Sequence, residues 1–148
     1  MHPRAIGYRG RPLREPAPAE KAIGGGASPY KAGKAFENSV RSQLRRRGYF
    51  VIRSYASKGL VDEVAVGHGR ALFVQCKRRG VLGSREHNEL YELAVQHGAV
   101  PILAMKLSER VTGYFELTGL REFRSRARPM VRIDPLTCEA WPEQLACV

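Results

Sequence analysis

The chain has 148 residues, long enough to bury a core within one domain. Its 25 Lys and Arg against 14 Asp and Glu give a formal charge of +11, and so basic a surface calls for a polyanionic partner, nucleic acid first among them. No apolar run nears the roughly 20 residues of a membrane span, and the amino terminus lacks the hydrophobic stretch of a secretory signal.

Residues 1–27 are rich in Pro, Gly, Ala and Arg, with "EPAPAE" and "GGGAS" among them. Such a segment buries too little apolar surface to offset its ordering entropy and reads as a flexible basic arm. Order is expected to begin at "SPYKAGKAFENSVRSQLRRRG". Ser28 caps a helix with Pro29 in its first turn, and Gly48 stops it. Ala32, Phe36, Val40 and Leu44 recur at helical spacing, and Glu37 lies at the margin of that buried stripe. Arg45, Arg46 and Arg47 crowd the last turn, where they suit the helix dipole.

"YFVIRS" then reads as a strand, "YASKG" as a polar connection and "LVDEVAV" as a second strand. "GHGR" makes a tight turn into a third strand, "ALFVQCK", so the second and third strands form a hairpin. "RRGVLG" leads to Ser84 as cap of a helix through "REHNELYELAVQH", ended by Gly98. "VPILAMK" and "VTGYFEL" complete the sheet. The order α-β-β-β-α-β-β describes a mixed five-stranded sheet flanked by helices. Residues 119–148 show a basic cluster and an acidic tail without clear periodicity, a C-terminal extension in which Trp141 is a candidate anchor. Cys76, Cys138 and Cys147 are widely separated, fitting neither a disulfide framework nor a zinc site and pointing to a reducing, cytoplasmic setting.

Alternation along the third strand places Leu72, Val74 and Cys76 on one face and Phe73, Gln75 and Lys77 on the other. Asp62 and Glu63 must likewise point apart. Asp62 is assigned to the Gln75–Lys77 group and Glu63 to solvent or the sheet edge. Phosphodiester hydrolysis at neutral pH needs an activated water, a shielded pentacovalent charge and a stabilised leaving alkoxide, which one or two Mg²⁺ ions on hard oxygen ligands can supply. Asp62 would be the central ligand, Glu37 would approach from the helix, and Lys77 would hold the scissile phosphate or orient the attacking water.

The passage from "KAGKAFENSVRSQLRRRGYFVIRSYASKGLVDEVAV" through "ALFVQCK" to "GAVPILAMK" resembles the archaeal-type Holliday junction resolvases of the PD-(D/E)xK nuclease superfamily. The similarity runs over about residues 30–118. It implies a restriction-endonuclease-like fold with a nuclease domain at residues 28–118, and a homodimer that cuts opposed strands of four-way DNA junctions with Mg²⁺ or Mn²⁺. It also implies catalytic roles for Glu37, Asp62 and Lys77, with DNA contacts from Arg53, Ser54, Ser57 and Lys58.

Two positions depart from the family pattern. Asn38 stands where an arginine is common, and Gln75 stands where the family has its second strand carboxylate. Glutamine offers a carbonyl oxygen without charge, which weakens metal affinity. Either Gln75 serves as a neutral ligand beside Glu37 and Asp62, or Glu86 or Glu89 supplies the carboxylate, or catalysis is lost. Arg45, Arg46, Arg47, Arg53, Lys58, Arg78 and Arg79 are expected to surround the site and to bind phosphates by shape rather than base sequence. The function expected is a junction-resolving endonuclease. The alternatives are a related nuclease for another DNA structure and an inactive junction- or RNA-binding protein.

Overall fold

The computed structural model describes residues 28–55 and 59–142. The proposed basic arm at residues 1–27, and the expected DNA contacts Ser57 and Lys58, lie outside the described residues. Helix α1 spans Pro29–Arg46, with the Ser28 hydroxyl accepting from the Lys31 N–H at 3.3 Å. This is the side-chain cap that the sequence signals. The chain leaves α1 through Gly48 at φ +87°, a backbone conformation that glycine adopts without a Cβ penalty.

Strands β1 (Phe50–Arg53), β2 (Glu63–Gly67) and β3 (Arg70–Lys77) form an antiparallel meander. His68 and Gly69, both at positive φ, make the two-residue turn between β2 and β3. That turn geometry matches the twist of the strands it joins. Helix α2 (Ser84–Gln96) carries the chain back so that β4 (Val100–Lys106) lies parallel to β3. Gly83, not Ser84, occupies the cap position of α2 and offers no side-chain cap. Strand β5 (Thr112–Leu117) returns antiparallel to β4.

The sheet does not end there. Met130–Ile133 form β6, antiparallel to β5, so the mixed sheet has six strands in the order β1-β2-β3-β4-β5-β6. Residues that showed no periodicity in the sequence therefore extend the sheet. Trp141 closes this segment: its N–H donates to the Arg132 carbonyl at 2.8 Å, and the Arg132 guanidinium lies 4.2 Å from its ring.

Two cores sandwich the sheet. Phe36, Val40 and Leu44 of α1 pack on Leu72, Val74, Ile102 and Ala104, while Leu90 of α2 packs with Leu82, Leu103 and Leu117. Phe73 packs against the α2 side and Cys76 against the α1 side, as alternation along β3 requires. Among the described residues, no helix is long and apolar enough to cross a membrane.

Candidate active site and nucleic-acid surface

The site is built where β2 begins and β3 ends. One step before the β2 ladder, the Asp62 N–H donates to the Val74 carbonyl at 2.9 Å. The Asp62 carboxylate accepts from the Cys76 N–H at 2.8 Å, and the Asp62 carbonyl accepts from the Ser54 N–H at 3.0 Å. Three hydrogen bonds to two backbone segments, β3 and the end of β1, thus fix this one residue. Desolvation is the main reason its carboxyl pKa is pushed up to about 6; the Cys76 N–H opposes that shift, Glu37 and Glu63 add to it, and Lys77 opposes it. The Cys76 thiol is also pushed up, chiefly by burial, which fits a packing residue rather than a nucleophile.

Glu37, projecting from α1, shares a cleft of about 520 Å³ with Asp62. Arg53, Ser54 and Lys34 line the same cleft, giving it cationic and hydroxyl groups beside the two acids. Gln75 and Lys77 reach the site from β3 and meet a further acid. The Lys77 ammonium lies 3.4 Å from Glu86 Oε2, and Gln75 Nε2 donates to Glu86 at 3.5 Å and to the Gly59 carbonyl at 3.3 Å. Glu89, by contrast, is paired with Arg85 at 2.8 Å on the exposed side of α2. Of the two helix acids, Glu86 is the one beside the β3 pair.

The arrangement is therefore two half-sites: Glu37 and Asp62 across the cleft, and Gln75 and Lys77 of β3 with Glu86 of α2. Among the described residues, no three His, Cys, Asp or Glu side chains gather closely enough to hold a metal by themselves. Oxygen donors of the right kind are nonetheless present. Gln75 is only 6% exposed, and its Oε1 is buried without a hydrogen-bond partner among the described residues. An orphaned buried carbonyl oxygen costs about 1–3 kcal/mol, and Asp62 ionises against its desolvation. A hard divalent cation in the cleft would relieve the penalty on Asp62 beside Glu37, and the Gln75 carbonyl, reaching in from β3, is a neutral oxygen of the kind such an ion accepts.

Glu63 corrects an expectation. Instead of facing solvent or the sheet edge, it is 0% exposed and receives three hydrogen bonds from Arg41 at 2.8–3.2 Å. The face to which Glu63 points is the one that α1 covers, where Arg41 meets it.

The arginines separate into groups. Arg53 lies in the cleft, its guanidinium 4.9 Å from the Tyr55 ring, and Arg78 and Arg79 follow directly on Lys77. Arg45, Arg46 and Arg47 are instead at the far end of β2, by the hairpin turn, where the His68 ring bonds the Arg47 carbonyl at 2.7 Å. They do not surround Asp62 as expected. Arg45 and Arg46 are exposed, whereas Arg47 is half-buried and lies 5.9 Å from the Tyr114 ring. Sequence reasoning missed other cations: Lys106 and Arg110 join Arg78 in a second cleft of about 340 Å³ beside α1. The loop before β6 presents Arg124, Arg126 and Arg128 to solvent.

A family model described as archaeal Holliday junction resolvase (Hjc) matches residues 28–140. The chain belongs to this family. Over 83 residues it is 31% identical to the crossover junction endodeoxyribonuclease Hjc of Methanocaldococcus jannaschii, covering 53% of this chain and 62% of that protein. The match thus spans less than two thirds of that relative's length. Among solved structures, the Holliday junction resolvase Hjc of Archaeoglobus fulgidus superposes with a TM-score of 0.52 at 25% identity, covering 70% of this chain and 84% of the other. The mixed sheet flanked by helices is thus the family's architecture. The matched range also takes in the β6 segment.

Proposed function

We propose that this protein is a structure-specific endonuclease that resolves four-way DNA junctions, acting as a homodimer with Mg²⁺ or Mn²⁺ in a cytoplasmic setting. The observation that carries this reading is the cleft where Glu37 and Asp62 meet, within a chain of the resolvase family. Residues 28–118 carry the nuclease machinery, and the segment after residue 118 extends its sheet.

In this reading Glu37, Asp62 and the Gln75 carbonyl hold the cation, which when bound lowers the pKa of a water and shields phosphate charge. Asp62 remains ionised at neutral pH and offers the oxygen not engaged by the Cys76 N–H. Lys77 exchanges the half-exposed Glu86 for the scissile phosphate, steadying the negative charge that builds in the transition state. Arg53 and Ser54 position the neighbouring backbone, while Arg78 and Arg79 extend the phosphate track. These are contacts to charge and shape, so affinity falls steeply with salt and does not depend on base sequence.

A homodimer is supported by the outer surface of β1 and β2. Phe50 and Val66 are cross-strand partners, Ile52 shares their face, and all three are exposed, Phe50 at 69%. A second copy covering this apolar stripe would bring two sites into one particle.

One observation favours a rival reading. Gln75 leaves the strand without a carboxylate, and no three acids cluster among the described residues, as a silent junction-binding protein would allow. A labelled four-way junction, a duplex and a single strand, each with and without Mg²⁺, separate the two. Divalent-dependent paired nicks confined to the junction, lost in Asp62→Asn, Glu37→Gln and Lys77→Ala, are the expected result. Tight junction binding without nicks at any Mg²⁺ or Mn²⁺ concentration establishes the silent binder.

A further inference from the structure

Glu63 is a carboxylate without access to water, and Asp and Glu are almost never fully buried unless paired. Its partner is held side-on: Arg41 Nε lies 3.1 and 3.2 Å from the two carboxylate oxygens, and Nη2 lies 2.8 Å from Oε1. Stability alone does not explain such a pair. Removing both charges from water offsets their attraction, and apolar side chains of similar volume often serve the fold as well or better.

The location of the pair suggests its use. Arg41 sits one helical turn beyond Glu37 on α1, and Glu63 follows Asp62 directly at the start of β2. Each member is therefore rigidly connected through its own element to one of the two acids of the cleft. Resting on the metal-nuclease reading, we propose that Arg41 and Glu63 are positioning residues: a clamp that sets the separation of Glu37 and Asp62 and withholds Glu63 from the cation. The planar guanidinium fork fixes both distance and angle, which a lysine ammonium acting as a point charge cannot do. Without Arg41, three carboxylates would compete near one cleft with no fixed geometry. Without the pair, α1 would rest on β2 through apolar contacts that tolerate sliding.

The decisive comparison is the full chain with Arg41→Met and Glu63→Leu together, beside Arg41→Lys and the wild type. Three measurements apply: thermal melting in EDTA, Mn²⁺ binding to the DNA-free protein by electron paramagnetic resonance, and junction binding and cutting. The double variant is expected to melt within a few degrees of wild type and to bind junction equally in EDTA. Its Mn²⁺ affinity should be weaker by about 10–100-fold, the range for residues that orient metal ligands, with cutting slowed in step. Arg41→Lys, which keeps the charge, should show a smaller loss of the same kind. Wild-type Mn²⁺ affinity in the folded double variant overturns the clamp. If the double variant does not fold, unchanged Mn²⁺ binding by Arg41→Lys overturns it instead. A wild type that binds no Mn²⁺ overturns the nuclease reading and the clamp with it, whereas wild-type cutting untouched by either variant overturns the clamp alone.

Discussion

At the scale of single residues, the site trades stability for chemistry. Asp62 has a carboxyl pKa of about 6 in the folded chain, above the ordinary carboxylate range, mainly because it is desolvated. The folded state therefore holds this proton more tightly than the unfolded state does. The neutral acid is fully compatible with folding below about pH 4, and stability is lost as pH rises through about 6. Discounted for partial exposure, the cost at pH 8 is about 1–2 kcal/mol. Asp62→Asn cannot ionise yet keeps an oxygen for the Cys76 N–H. In EDTA it should be more stable than wild type at pH 8, with the advantage vanishing at pH 4, as urea denaturation at both pH values can measure. A variant less stable than wild type at pH 8 contradicts the assigned strain. Gln75 makes the complementary case: its Oε1, without a hydrogen-bond partner among the described residues, is a neutral oxygen donor. Gln75→Glu should lower the Mn²⁺ concentration needed for cutting by about 10-fold, by adding charge to the ligand set. An unchanged requirement would mean that Glu86, already within reach of Gln75 and Lys77, fills that role.

At the scale of elements, seven of the eight were visible, the helices by their apolar stripes and the strands as short apolar runs bounded by turn signals. Phe36, Val40 and Leu44 mark the inner face of α1, and alternation along "ALFVQCK" divides β3 correctly between two cores. Strand β6 escaped notice because four residues, Met130–Ile133, are too few to establish a period, and the arginines before them suggest a solvated loop. The environment of Glu63 was illegible for a related reason: its partner Arg41 lies 22 positions away, so no local pattern links them. Glu37, Asp62, Gln75 and Lys77 could be picked out by residue type and strand position. Their division into two half-sites depends on where Glu86 and Gly59 come to lie, which is tertiary information. Ile133 tests whether β6 belongs to the cooperative unit. It is buried in the α1-side core, so Ile133→Ala should cost about 2–4 kcal/mol in a single urea transition. If only the end of the chain frays and the main transition stays put, residues beyond 118 are an appendage instead.

At the scale of the whole molecule, the charge and the apolar stripe make separate demands. A charge of +11 secures attraction to any nucleic acid, but attraction alone cannot make two cuts symmetric. Symmetric cutting requires two sites in fixed relation, and a twofold interface provides that by applying the same patch to itself. Phe50, Ile52 and Val66 offer an apolar patch of that kind on the edge strand β1 and its neighbour β2. Replacing Phe50 and Ile52 together by Glu puts two charges into the patch without touching the core, since both side chains are exposed. The double variant should fold, elute as a monomer by light scattering, and retain metal binding. On a four-way junction it should release singly nicked products, because the second cut no longer follows within the lifetime of the same complex. If it remains dimeric and its nicks stay paired, the subunits meet elsewhere. A wild-type monomer that still cuts both strands in concert would leave the paired nicks without their geometric cause.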